Sequence, residues 1–188
     1  DSTKTTIVTT KVDAEFPDYM SQSFTVLKND IDGVRIKFLD LYFSGRPAKS
    51  GAHMIVQIRE TGKNGIPTDK VLAQSGKVFR NSVNVSSTAS SATRFSFSDA
   101  IILKNNTTYA LTLVPSEDDS DFTVWTARTN TRDINSNINA YFDPGVGRLY
   151  GSSSGNVWHE LKNETLKMNL HALEYETEST TDFIVQND

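Results

Sequence analysis

The sequence predicts an all-β fold, an antiparallel β-sandwich of jelly-roll-like type. Three observations carry that reading. Apolar residues recur in short runs with period two, turn residues separate those runs at close intervals, and no stretch holds a helical period. Val, Ile, Phe and Thr make up the runs, while Ala and Leu never dominate a long window, a balance that favours pleated backbone. At 188 residues, the chain suits one well-cored domain that buries roughly 70% of its unfolded surface.

Taken in order, Ser23 to Val26 alternates as a short strand. Val34, Ile36 and Phe38 keep one parity, and Leu39, Leu41 and Phe43 keep the other. A parity change inside one run predicts a β-bulge or a strand bending between sheets. His53 to Glu60 alternates Met54, Val56 and Ile58, and Arg94 to Ser98 sets Phe95 with Phe97. Thr107 to Pro115 alternates Tyr109, Leu111 and Leu113. Phe122 and Val124 share a face, with Trp125 on the other. Leu166, Met168, Leu170 and Ala172 alternate before the parity shifts to Leu173 and Tyr175. Met20 to Leu27 comes nearest to a helical pattern but is too rich in β-formers. Turn signals lie at Gly62 to Pro67, Lys104 to Asn106, Glu117 to Asp121 and Gly151 to Gly155. The expected core is Phe24, Ile36, Phe38, Leu41, Val56, Ile58, Phe95, Phe97, Leu111, Leu113, Val124, Met168 and Leu170.

A net charge of -4 opposes duplex nucleic-acid binding, which needs a basic face for phosphates. Apolar runs are only a few residues long, too short for a spanning helix. No basic segment followed by an apolar stretch marks a signal peptide. There is no cysteine, so stability must come from the core, in keeping with assembly in a reducing cytoplasm. The chain opens without Met, in a Thr-rich run, and both ends read as cuts through a longer polypeptide. Residues 1–12 read as a strand or linker from a preceding region, 13–175 as the sandwich module and 176–188 as a linker.

Thr61 to Gly65 looks at first like part of a phosphate loop. That loop needs G-x-x-x-x-G-K-[ST] between a parallel strand and a helix. Here Lys63 precedes the second glycine, and Pro67 leads into another strand-like run. Asn64-Gly65 instead suits the positive-φ turn of a hairpin. Gly151-Ser152-Ser153-Ser154-Gly155 matches the G-x-S-x-G nucleophile elbow, but Asn156 to His159 reads as a strand start rather than a helix. His53, His159 and His171 are too scattered for a zinc site, and the alternation around His53 and His171 turns both to solvent. Glu117 to Asp121 carries oxygens for calcium without the spaced order of a calcium loop. The sequons at Asn84, Asn105, Asn106 and Asn163 matter only in a secreted eukaryotic chain. No cofactor or metal is expected, and no enzyme.

Aromatic rings remain the best candidates for a binding surface, since flat π-faces stack on the apolar patches of sugar rings. Trp125, Tyr141, Tyr150 and Trp158 are the candidate rings. Asp143, Asn156 and Asn139 are the polar groups that would hydrogen-bond hydroxyls. The competing reading puts the rings in the core or a subunit interface.

Eight segments in order carry a family resemblance: Tyr19 to Val26, Phe38 to Phe43, Val56 to Glu60, Asn64 to Thr68, Thr93 to Phe97, Leu103 to Asn105, Thr108 to Leu111, and Val124-Trp125. Together they resemble a β-sandwich module of large virion structural proteins of contractile-tailed bacteriophages, in baseplate or tail-fibre-associated chains. A sandwich module of bacterial surface proteins is a more distant likeness. The resemblance covers about residues 16–175 and departs from the family at 81–92 and 129–156. It implies a structural, non-catalytic place in the tail, within the virion and assembled in the bacterial cytoplasm. The implied partners are other tail or baseplate proteins, further copies of the full-length chain, and in some members a host surface glycan. Because the shared positions are core, turn and strand residues, it transfers no catalytic residue.

Overall fold

The computed structural model describes residues 19–27, 33–116, 121–128 and 147–173. The expected boundary segments 1–12 and 176–188 lie outside the described residues. In chain order the first strands are β1 (Tyr19–Val26), β2 (Gly33–Gly45), β3 (His53–Thr61), β4 (Pro67–Gln74) and β5 (Val78–Phe79). Next come β6 (Ala92–Lys104), β7 (Thr107–Pro115), β8 (Thr123–Val124) and β9 (Thr126–Arg128). The last are β10 (Leu149–Ser152), β11 (His159–Glu160), β12 (Glu164–Leu166) and β13 (Met168–Leu173).

These strands form two main antiparallel sheets around one core. The larger runs β11-β10-β1-β7-β3-β4, with β5 also on β3, and the smaller runs β13-β2-β6, with β8 on β2. A two-stranded pair, β9 with β12, completes the described part. The alternation seen in sequence explains the layering. Met20, Phe24 and Val26 of β1 face Leu39, Leu41 and Phe43 of β2 across the interior, joined by Phe95, Leu111 and Leu170. The expected core residues are buried with one exception, Phe38, which is half-buried.

The predicted parity change in β2 is real. The register against β6 shifts between Ile36 and Phe38, so Ile36 and Leu39 both point inward. Against β13, Lys37 is the extra residue, between the pairs Ile36–Ala172 and Phe38–His171, and Phe38 leaves the core for the outer face. Met168, Leu170 and Ala172 of β13 stay buried with one parity, and Tyr175, where the expected parity change ends, lies outside the described residues. The run from Phe122 to Arg128 also divides at Trp125. Before it the chain pairs with β2, and after it with β12.

Two buried polar residues join the sheets at their margins. Gln22 shares the inward face of β1 and has no exposed surface. Its Oε1 accepts from the backbone N–H of Leu166 (2.9 Å) and the hydroxyl of Thr165 (3.2 Å). Its Nε2 donates to the carbonyl of Ser23 at 3.0 Å. Toward the β4 edge, Ser75 Oγ accepts from Val56 N–H at 3.0 Å, and Gly76 N–H donates to Ser96 O at 3.1 Å. A strand of each sheet is thereby tied to the chain that passes between them.

Replacing Gln22 by Leu keeps the volume but removes the acceptor for a buried N–H. Such a loss costs about 1–3 kcal/mol. Urea unfolding of Gln22→Leu is expected to show a lower midpoint and an unfolding free energy smaller by that amount, and an unchanged midpoint would show the amide to be dispensable.

Candidate functional site

Of the rings expected to form a sugar platform, Trp125 and Tyr150 are buried. Trp125 sits between β8 and β9 at 6% exposure, packed with Ala89 and Tyr42. Its indole N–H donates to Ser86 O at 2.8 Å, so both the ring and its polar edge are occupied. Tyr150 on β10 is 3% exposed, and its hydroxyl donates to Asn64 O at 2.5 Å. Burial pushes the Tyr150 phenol above its ordinary value. Neither ring presents a face on which a sugar can stack, a correction to the sequence expectation for both. Trp158 is half-buried and Asn156 exposed, in the turn between β10 and β11. Tyr141, Asp143 and Asn139 lie outside the described residues.

That turn also holds the G-x-S-x-G match. It joins two antiparallel strands, β10 and β11, where an elbow requires a strand followed by a helix. Ser152 Oγ accepts from the N–H groups of Ser154 and Gly155, and Ser154 Oγ from those of Asn156 and Val157. The serines on either side of Ser153 therefore shape the loop, while Ser153 itself is exposed at its tip. Gly155, at φ 76°, lies under the Tyr19 ring. His159 pairs with Gly151 on the edge strand and is exposed.

The strongest cluster of chemically capable side chains lies elsewhere, on the outer face of the smaller sheet. Asp40 of β2 lies across from Arg94 of β6 on one side and Asn169 of β13 on the other. Arg94 grips its carboxylate with two bonds, Nε to Oδ1 at 2.9 Å and Nη2 to Oδ2 at 3.0 Å. His171 Nε2 approaches Oδ2 at 2.7 Å. His171 is only 7% exposed, which overturns the expectation that it faces solvent. Phe38 supplies the cover, its ring 4.8 Å from the His171 ring and 4.1 Å below the Arg94 guanidinium. Beside it Asn169 donates to the Tyr42 hydroxyl at 2.9 Å, and Lys167 lies 4.4 Å from the Tyr42 ring. His53 is half-buried, with its ring 5.5 Å from that of Phe79.

Burial alone would push the Asp40 carboxyl up. The hydrogen bonds from Arg94 and His171, with their fields, outweigh it and hold the carboxyl below the ordinary carboxylate value. Burial, and then the Asp40 charge, raise the Tyr42 phenol. The arrangement fixes a carboxylate and an imidazole rigidly across three strands. Sequence reading missed it because its members are 54 and 131 positions from Asp40 and meet only through strand register. The one local signal was an acid, Asp40, inside the otherwise apolar run Phe38 to Phe43. Among the described residues, no group of three or more acidic or histidine side chains is placed to hold a metal.

Compared with protein-family models, curated proteins and solved structures, the chain finds no match in any of the three.

Because the Asp40 pKa is depressed in the fold, its contribution to stability is present above the unfolded value of about 3.9. It is lost as pH falls through the lower folded value. Asp40→Asn is expected to lower the thermal midpoint at pH 7, by roughly 1–3 kcal/mol in stability, given that Arg94 is half-exposed. The gap should begin to narrow below about pH 4 and close as pH falls through the lower folded value, where the wild-type carboxyl is protonated too. A gap that is constant from pH 7 to 3 would assign the loss to packing.

Proposed function

We propose that this chain is a non-catalytic, jelly-roll-like structural module of a phage tail or baseplate protein, making assembly contacts within a larger virion oligomer. The observation that carries this reading is where the reactive side chains go. Asp40, His171, Arg94, Gln22, Ser75, Ser152 and Tyr150 all bond to other strands or to loop backbone, which is work of holding a framework together. Support also comes from the eight ordered segments of the resemblance. They fall on β1, β2, β3, the β3–β4 turn, β6, the β6–β7 turn, β7 and β8 with Trp125, all framework positions.

Assembly needs a surface, and the β4–β5 margin of the larger sheet is a reasonable one. Val71, Leu72 and Phe79 are exposed there, at 41%, 39% and 49%. Exposed apolar residues along a sheet edge favour association. The direct test is detection of the parent chain in purified virions. Recovery only from bacterial cell envelopes would overturn the tail assignment in favour of a surface adhesion module. Leu72→Lys with Phe79→Lys is expected to reduce incorporation into particles while leaving the melting temperature within a few degrees, as for other surface changes. Unchanged incorporation would move the contact off this margin.

A second reading, weak recognition of a host glycan, is favoured by half-buried Trp158 beside exposed Asn156. One stacked ring contributes about 1 kcal/mol, so useful binding would depend on many copies. A multimerised module should bind host polysaccharide, and Trp158→Ala should lose that binding without unfolding. Equal binding by the folded variant removes Trp158 from the reading.

A further inference from the structure

The Asn64-Gly65 turn has a chemical property that the scaffold reading does not use. Asparagine followed by glycine is the dipeptide most prone to lose ammonia, because glycine leaves the next backbone nitrogen unshielded. The Gly65 nitrogen attacks Cγ of Asn64, a new N–Cγ bond forms and the Cγ–Nδ2 bond breaks. Ammonia departs with the amide proton and leaves a succinimide. Water then opens the ring at either carbonyl, giving aspartate or isoaspartate with no change of oxidation state.

The folded turn withholds the geometry that this step needs. Ring closure requires the Gly65 nitrogen and the Asn64 Cβ to be nearly eclipsed about the Cα–C bond. Asn64 has φ 59° and ψ 19°. That ψ eclipses the Gly65 nitrogen with the Asn64 backbone nitrogen instead, turned away from the side chain. Two contacts hold the backbone there. The Tyr150 hydroxyl donates to Asn64 O at 2.5 Å. Gly65, at φ 76°, lies so close to β1 that an added Cβ would stand 2.6 Å from both Cβ and Oγ of Ser23. Outside them, the N–H of Gly62 donates to Ile66 O at 2.8 Å and closes the loop.

We propose that Asn64-Gly65 is a conformationally gated deamidation site, closed in the folded turn by the Tyr150 latch and opened whenever that latch releases. Asn64 is exposed, so water has access once the ring has formed. The isoaspartate product cannot restore the original turn. Isoaspartate adds a carbon to the backbone at a place where Ser23 leaves no room even for a methyl group. A molecule that has opened for long enough is thereby marked permanently, and the site records time spent open.

The test is a peptide map of the whole chain during incubation at mildly alkaline pH, following conversion of Asn64 amide to acid and isoaspartate. Three samples run side by side: folded wild type, folded Tyr150→Phe, and wild type in urea. The rate should follow the open population, so the folded wild type is expected to react roughly tenfold or more slowly than the chain in urea. Tyr150→Phe, which keeps the ring and loses one hydrogen bond, is expected to react about fivefold faster than wild type. Its thermal melt verifies that it is folded. Equal rates for folded and urea-unfolded wild type would overturn the gate. Equal rates for the two folded proteins would overturn the latch.

Discussion

A single buried amide sets much of the arrangement. Gln22 stands where the alternation of β1 calls for an apolar side chain, between Met20 and Phe24. Burying an amide is unfavourable unless its groups are bonded, and this one is bonded through both its oxygen and its nitrogen. Its oxygen takes the N–H of Leu166, so β12 must lie at the margin of the larger sheet. From there Lys167 carries the chain directly into β13 of the smaller sheet. Pairing of β12 with β9 then fixes the point at which the chain stops following β2, at Trp125. One polar side chain in an apolar row thus specifies where the chain passes from one layer to the next, a selectivity that apolar packing alone does not supply.

The outer face of the smaller sheet depends on a similar local irregularity. Without the bulge at Lys37, Phe38 would point inward and Asp40 would do the same. With it, Asp40 reaches Arg94 and His171 on the neighbouring strands, and Phe38 shields them from water. The bulge therefore does two things at once. It keeps Leu39, Leu41 and Phe43 in the core, and it gives the three strands a charged clasp on their outside.

How much was legible in the sequence follows from the range of each cause. Strands with clean alternation, such as His53 to Glu60 and Thr107 to Pro115, were readable because period two is a local signal. The hairpin at Asn64-Gly65 was readable for the same reason, and both residues do have positive φ. Phe38 was misplaced because a parity change shows that a bulge exists without showing on which side of it a residue falls. His171 was assigned to solvent because alternation reports the face of a strand, and an outer face need not be wet. Trp125 and Tyr150 were misjudged as candidate rings for a different reason. Their burial comes from loops more than thirty residues away, Ser86 over one and Asn64 over the other.

The two tryptophans occupy unlike surroundings, with a consequence for anyone handling the protein. Trp125 is enclosed, its indole nitrogen bonded to a backbone carbonyl at the point where the chain leaves one layer for another. Trp158 is half-open to water on the turn between β10 and β11. The fluorescence of the folded chain is therefore a sum of a blue, shielded emitter and a red, solvated one. Loosening of the crossing at Trp125 would shift the first alone. The spectrum of the unlabelled protein thus reports separately on its interior crossing and on its outer turn.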